Sequence, residues 1–195
     1  MKSFIPRNWF IKSNATGDLN GDGIADLAMI IEYKDTIEEI RQKNQDSFVN
    51  KGSPRILLVL FKNKFSGFYH LILQNNTFIL RYGEGGMDPE PDGEVLISKR
   101  VLSIRYSFLR DTDIYKFRYQ NGDFYLIGFS SFGVSGSTLD GLEINFITMK
   151  IKKSTGDISS DHDKITWQRF SYPHLIKLKD YAFRDSFEIT PDISL

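Results

Sequence analysis

The dipeptide Asn121-Gly122 separates two segments of alternating apolar and polar residues, and it restricts the possible folds more than any other feature. Residues 114–120 carry aromatic side chains at every second position, as expected for a strand with one buried face. Residues 124–129 form a second apolar segment on the other side of the dipeptide. Asn-Gly between two such segments is the strongest short-range signal for a β-hairpin. The chain is therefore predicted to contain antiparallel strands.

Segments with the length and composition of strands recur along the rest of the chain, separated by polar turns. They are residues 27–33, 56–61, 68–73, 78–82, 94–98, 101–108, 142–150 and 165–170. Aromatic residues make up 14% of the chain, and Phe and Tyr favour pleated, half-buried surfaces. Neither a domain linker nor a repeat of fixed period is visible. We therefore predict one domain over residues 1–195, mainly β, built as an antiparallel meander that is sandwich-like or partial-propeller-like.

Three polar stretches interrupt this pattern. In residues 34–55, Ile37 and Ile40 could line one side of a short helix at 36–46, which would make the fold α+β; a long loop is the alternative. Residues 83–94 are rich in Gly and Pro, and residues 130–141 are rich in Gly and Ser. Such compositions predict loops.

Charge and hydropathy exclude several classes of protein. Lys and Arg total 25, and Asp and Glu total 25, so the formal net charge is zero. A nucleic-acid-binding protein is expected to carry a basic excess or a basic stripe, so we expect no nucleic-acid partner. No apolar run is long enough for a transmembrane helix, and the first ten residues lack the apolar region of a secretory signal. The absence of cysteine excludes disulfides and thiolate metal ligands.

The segment 18–26, with the sequence DLNGDGIAD, carries oxygen ligands with the spacing of a calcium-binding loop. Calcium is a hard cation that takes six to eight oxygen ligands, and alternate side chains of a tightly turning loop can converge on one ion. Gly23 would permit the sharp turn. We predict one Ca²⁺ site with these ligands: Asp18, Asn20, Asp22, Asp26 and the backbone carbonyl of Ile24. Because Asp, Asn and Gly also form ordinary turns, a turn without an ion is the alternative.

This loop differs from an EF-hand at its end. An EF-hand requires a bidentate Glu at the twelfth position, where this chain has Met29. The residues that follow the loop are strand-like, whereas an EF-hand loop leads into a helix. The sequence therefore predicts an EF-like calcium loop that leads into a β-strand.

With these features, residues 18–27 resemble the calcium loop of FG-GAP/VCBS-type repeats, which occur in integrin β-propellers and in many bacterial extracytoplasmic proteins. The resemblance implies calcium held by the same five residues, with the loop leading into a strand. The motif occurs once here, whereas a propeller needs several blades. The order of this loop, an apolar strand pair, the DPEPDG segment, YKFRYQNGDFYLIGF and a strand containing INF is also similar to a family of uncharacterised bacterial envelope proteins, often lipoproteins. That resemblance implies one compact domain.

A calcium loop without the bidentate Glu belongs with weak extracellular sites, with dissociation constants of about 10⁻⁴–10⁻³ M. We therefore expect a periplasmic or cell-surface protein, with the signal peptide absent from this sequence. No nucleophile elbow, zinc spacing or phosphate-binding loop is present. The function predicted is a non-catalytic, calcium-stabilised binding module with a protein or glycan partner, possible roles including that of an inhibitor or immunity-type protein. We expect a monomer or a weak oligomer.

The alternative is an enzyme, a hydrolase of glycans or cell-wall material. Such an enzyme would need two carboxyl groups across a cleft, one acting as a general acid. The acidic residues that could supply them are Asp88, Glu90, Asp92, Asp140 and Glu143.

Overall fold

The computed structural model describes residues 2–43, 46–85, 90–160, 162–182 and 187–195. Fifteen strands and two single-turn 3₁₀ helices, Lys2–Phe4 and Leu178–Asp180, make up the regular structure of this part of the chain. The strands are β1 (Trp9–Gly17), β2 (Asp26–Tyr33), β3 (Ile37–Lys43), β4 (Asp46–Gly52), β5 (Arg55–Lys62), β6 (Tyr69–Asn75), β7 (Asp92–Ser98), β8 (Val101–Ser107), β9 (Asp111–Gln120), β10 (Asp123–Ser135), β11 (Thr138–Asn145), β12 (Lys150–Asp157), β13 (Lys164–Arg169), β14 (Glu188–Thr190) and β15 (Ile193–Ser194).

Two antiparallel sheets account for most of these strands. The first has four strands in the order β1-β2-β5-β6, and the second is a seven-stranded meander in which β7 to β13 each pair with their sequence neighbour. The pairs β3–β4 and β14–β15 form separate two-stranded sheets. The prediction of a mainly β fold with an antiparallel meander is confirmed. No described helix has the length and apolar character needed to cross a membrane.

The main hydrophobic core lies between the two large sheets. Phe61 of β5 packs edge-on against Tyr119 of β9, with ring centroids 4.8 Å apart. A second, smaller cluster on the other face of the four-stranded sheet is covered by Phe4, Ile5 and other residues near the N-terminus. Burial on both faces explains why β2 and β5 read as continuous apolar runs instead of alternating patterns. The fully buried members of the main core contributed by the two sheets are Ala28, Ile30, Leu57, Val59, Leu102, Ile104, Tyr106, Phe117, Phe124, Leu126 and Ile151.

The two sheets meet at one corner, where β1 lies against β7. The backbone N–H of Val95 donates a hydrogen bond to Ser13 Oγ over 3.0 Å. Gly17 allows the close approach, because a Cβ at this position would lie 2.6 Å from Ile97 Cγ2. At this corner, one edge strand of each sheet covers the other.

The helix predicted at 36–46 is wrong, because the chain forms the β3–β4 hairpin there. Ile40 pairs with Val49, and both side chains are exposed. The buried face of the hairpin instead carries Arg41, which is ion-paired with Glu84. The spacing of Ile37 and Ile40 suggested a helix, but residues three apart lie on opposite faces of a strand, and the inward face of this hairpin carries the charged residues Glu39 and Arg41.

The strand predicted from the sequence at 78–82 is also wrong. The strand predicted at 78–82 is irregular, although Phe78 and Leu80 are fully buried. Asn75 ends β6, since its Oδ1 accepts hydrogen bonds from the backbone N–H groups of Thr77 and Phe78 at 2.8 and 2.7 Å. Its Nδ2 donates to the carbonyl of Leu178 over 2.6 Å. The Asn75 side chain therefore accepts backbone N–H bonds that a neighbouring strand would accept if residues 77 and 78 were part of a sheet.

The loop predicted at 130–141 is wrong as well. β10 continues to Ser135 and β11 starts at Thr138, with Gly136 at φ 63° in the turn between them. Small residues occur in these strands because the side chains pack closely. A Cβ on Gly141 would lie 2.4 Å from Ser154 Oγ. In the stretch predicted as a loop at 83–94, the described residues before Asp92 contain no strand.

The Asn-Gly hairpin is confirmed. β9 and β10 pair antiparallel, with Gln120 opposite Asp123 next to the turn. Asn121 and Gly122 have φ values of 51° and 81°, the positive values that a type I′ turn requires.

Candidate metal centre

The loop at residues 18–25 connects β1 to β2 within the four-stranded sheet. Gly21 and Gly23 have φ values of 86° and 80°, so both occupy the left-handed region that favours glycine. Nothing lies within 4 Å of a Cβ built on Gly23, so its role is conformational. The sequence prediction of a sharp turn at Gly23 is confirmed.

The side chains of three predicted ligands hold the loop in shape by bonding to its own backbone. Asp18 accepts N–H bonds from Gly21 on Oδ1 (2.6 Å) and from Gly23 on Oδ2 (3.0 Å). Asn20 Oδ1 accepts the N–H of Asp22 over 2.9 Å. Asp22 Oδ1 in turn accepts the N–H of Ile24 over 2.8 Å. The side-chain oxygens that are predicted to bind the metal therefore lie along the inside of one continuous turn.

Asp26 occupies a different position from the other predicted ligands, because it is fully buried at the first residue of β2. Its Oδ2 accepts the N–H of Leu19 over 2.9 Å, and its Oδ1 accepts the N–H of Lys62, at the end of β5, over 3.0 Å. Burial raises the pKa of this carboxyl above its ordinary value of 3.8, although the two N–H bonds act in the opposite direction. The nearby charge of Asp22 raises the pKa further.

The chemistry of this set fits a hard cation, since its side-chain donors are carboxylate and amide oxygens. A carboxylate has about four lone-pair sites, so an oxygen that accepts one N–H bond keeps acceptor capacity. In the described residues, no three His, Asp or Glu side chains form a group that could hold a metal. Asp18, Asn20 and Asp22 lie together in the turn, while both oxygens of Asp26 bond to backbone N–H groups.

The acidic residues of the hydrolase alternative have separate partners. Glu90 is paired with Arg55 (3.2 Å), Asp140 accepts a bond from the hydroxyl of Thr155 (3.2 Å), and Glu143 is paired with Lys152 (2.8 Å). Because successive side chains of a strand point to opposite faces, Asp140 and Glu143 lie on opposite faces of β11. The structure does not bring these two together. Asp88 and the side chain of Asp92 lie outside the described residues.

A buried ionic cluster was missed in the sequence analysis. Glu32 of β2 lies opposite Arg55 of β5, and Arg55 Nε donates to Glu32 Oε2 over 2.5 Å. Arg55 also donates to the carbonyl of Leu80 (2.8 Å), and Lys12 lies 3.6 Å from Glu32. The signal was available, because the apolar run of each strand has a charged residue at either end, Asp26 and Glu32 in β2 and Arg55 and Lys62 in β5.

A second cluster attaches the β3–β4 hairpin to the irregular segment after β6. Arg41 donates two bonds to Glu84, at 2.9 and 3.1 Å. Arg81 donates to Glu39 of β3 over 2.7 Å. Burial alone would raise the pKa of Glu84, but the bonds from Arg41 and from the N–H of Arg81 outweigh it and lower the pKa. The carboxylates of Glu84 and Glu39 are therefore both paired with arginines, and the cluster connects the β3–β4 hairpin to the segment after β6.

Comparison with family models, with curated proteins and with solved structures finds no match to this chain. The similarity of residues 18–27 to FG-GAP/VCBS-type loops therefore stays a prediction carried by the motif itself.

Proposed function

We propose that this protein is a non-catalytic binding module of the bacterial envelope whose β-sandwich is stabilised by one calcium ion at Asp18, Asn20, Asp22, Ile24 and Asp26. The observation that carries the proposal is the position of the loop. Its side chains shape the turn between β1 and β2, and Asp26 connects that turn to the end of β5. A cation held there would strengthen the connection of three strands of one sheet.

The charge of the loop supports the same role. Asp18, Asp22 and Asp26 contribute three carboxylates, and the described contacts of their oxygens are with backbone N–H groups and the amide of Asn20. A divalent cation would relieve their mutual repulsion. The loop offers no carboxyl held near a nucleophile, so we assign the ion a structural role and not a catalytic one.

We place the protein in the periplasm or on the cell surface, because a weak calcium loop is occupied where calcium is abundant. Its partner would be a protein or a glycan. The hydrolase alternative has no supporting observation, since the described acidic residues proposed for it have separate partners.

The test is thermal unfolding in calcium and in EGTA, on the wild type and on Asp22→Ala. Calcium that binds only the folded state stabilises it by mass action, which at 10–100 times the dissociation constant amounts to about 1.4–2.7 kcal/mol. We expect the melting temperature of the wild type to rise with calcium, and Asp22→Ala to lose this response.

A matched control is Asp35→Ala, which removes an exposed carboxylate outside the loop. This variant should keep the full response to calcium. A wild type with the same melting temperature in calcium and in EGTA would contradict the proposed site.

A further inference from the structure

The turn between β7 and β8 has an unusual backbone for its sequence. Lys99 and Arg100 are its two central residues, between the paired residues Ser98 and Val101. Both have positive φ values, 49° for Lys99 and 63° for Arg100. Such a turn favours Asn-Gly, the pair found in the β9–β10 hairpin, because most residues with a side chain avoid positive φ. Strained residues of this kind cluster at functional sites, so the turn needs an explanation.

The side chain of Arg100 lies against the loop at residues 18–25, which is the proposed calcium site of the other sheet. A Cβ built on Gly21 would lie 3.0 Å from both Cζ and Nη1 of Arg100, and 3.3 Å from its Nε. The guanidinium therefore packs on the backbone of Gly21. The missing side chain of this glycine leaves the space that the guanidinium occupies.

The corner between the two sheets holds the turn and the loop beside each other. Gly17, the last residue of β1, packs closely on Ile97 of β7. Ser13 of β1 accepts the backbone N–H of Val95 of β7. The loop follows directly after Gly17, and the turn begins two residues after Ile97. The contact between Arg100 and Gly21 therefore continues an interface that both sheets already form.

This contact places one positive charge beside a loop that carries three carboxylates. The N–H of Gly21 donates to Asp18 Oδ1 over 2.6 Å. Since a Cβ lies about 2.5 Å from the nitrogen of its own residue, Arg100 Cζ lies within about 8 Å of that carboxylate oxygen. Charges at this distance interact, because the Debye length is about 8 Å at physiological ionic strength and about 30 Å at 0.01 M. Arg100 therefore acts on the loop through its charge as well as through packing.

We propose that Arg100 sets the calcium affinity of this loop: its guanidinium partly balances the carboxylates in the calcium-free protein and opposes the binding of Ca²⁺. This role rests on the calcium site of the proposed function. The positive charge that stabilises three carboxylates without an ion becomes unfavourable once a divalent cation lies among them. Arg100 thus keeps the site weak, so that its occupancy changes with calcium in the range typical of extracellular sites, with dissociation constants of about 10⁻⁴–10⁻³ M.

Isothermal titration of the full chain with calcium, at low ionic strength, tests this role. We expect Arg100→Met to bind calcium about two- to five-fold more tightly than the wild type, as Coulomb's law in water gives for a single and a double charge at this separation. Arg100→Lys keeps the charge and should stay close to the wild type. Arg105→Met is the matched control, because it removes a similarly exposed positive charge about 16 Å further along β8. It should leave the calcium affinity unchanged.

A calcium affinity that is unchanged or weaker in Arg100→Met overturns the proposal, and so does equal tightening in Arg100→Lys or Arg105→Met. If Arg100→Met disturbs the turn, Arg100→Gly removes the charge with a residue that accepts positive φ, and it should bind calcium as tightly as expected for Arg100→Met.

A wild type that binds no calcium contradicts the proposed function, and the balancing charge is then tested by urea unfolding in EGTA. The free energy of unfolding should be lower in Arg100→Met than in the wild type at low salt. The difference should shrink as the salt is raised to about 1 M, where the Debye length is about 3 Å. A difference that does not depend on salt would show that Arg100 contributes only packing, and would overturn its role as a counter-charge.

Discussion

β2 buries one carboxylate near each end, and the two are satisfied in different ways. Asp26, at the first residue, bonds to the backbone N–H groups of Leu19 and Lys62. Glu32, near the last residue, bonds to the guanidinium of Arg55 and lies near Lys12. One end of the strand thus depends on backbone dipoles, and the other has fixed positive charges.

This difference indicates which end of β2 should change in stability with the pH and the calcium concentration of the solution. A buried carboxylate with a permanent counter-charge needs no ion from outside, but breaking the pair leaves an uncompensated charge. Asp26 has hydrogen bonds that lower its pKa, yet burial prevails and the pKa is raised. The Asp26 end should therefore be sensitive to protons and to a bound cation, whereas the Glu32 end should be sensitive to mutations that remove its counter-charge.

The largest effect is expected at the Glu32 end. Arg55→Met keeps much of the side-chain volume but leaves Glu32 buried without the guanidinium, and it also leaves the carbonyl of Leu80 without a donor. Removing one partner of a buried pair costs about 3–5 kcal/mol. Urea unfolding at neutral pH should show this loss in the free energy of unfolding.

Arg105→Met is the control for that measurement. Arg105 is paired with Glu94 on the surface, where both side chains are roughly half exposed. Exposed pairs contribute about 0–1 kcal/mol. If Arg55→Met were no more destabilising than Arg105→Met, the Glu32 end would not depend on its fixed charge.

A smaller effect is expected at the Asp26 end. Asp26→Asn leaves one acceptor oxygen for two N–H donors, so the amide of the new side chain would face the N–H of Leu19 or of Lys62. Leaving a buried donor unsatisfied costs about 1–3 kcal/mol. Urea unfolding in EGTA should show this loss, and the stabilisation by calcium should fall in the same variant. A variant as stable as the wild type would mean that Asp26 does not connect the loop to β5.

The sequence predicted the Asp26 end better than the Glu32 end. Asp18, Asn20, Asp22 and Asp26 follow one another in a short segment, so a local pattern was enough to predict the turn at Gly23. The second bond of Asp26, to Lys62, joins residues far apart in sequence and could not be read from the loop.

Contacts at long range also decided where the prediction of secondary structure failed. The helix predicted in the β3–β4 hairpin rested on the local spacing of Ile37 and Ile40, which does not reveal that the buried Arg41 bonds to Glu84, 43 residues away. Phe78 has the composition of a strand but belongs to an irregular segment shaped by Asn75. Asn75 is close to Phe78 in sequence, but its amide also bonds to the carbonyl of Leu178, 103 residues away, and a local pattern does not reveal that contact.

The smallest expected effect is the dependence of stability on pH at the Asp26 end. Because the pKa of Asp26 is raised on folding, the folded state binds more protons than the unfolded state between the ordinary value of 3.8 and the raised value. Stability from this group is therefore complete below 3.8 and is lost as the pH rises through the folded pKa. Asp26→Asn has no proton to lose, so the free energy of unfolding of the wild type, minus that of the variant, should fall over this interval in EGTA. Calcium favours the ionised carboxylate and should reduce the slope. A difference that rises with pH in EGTA would show that hydrogen bonding, and not burial, sets the pKa of Asp26.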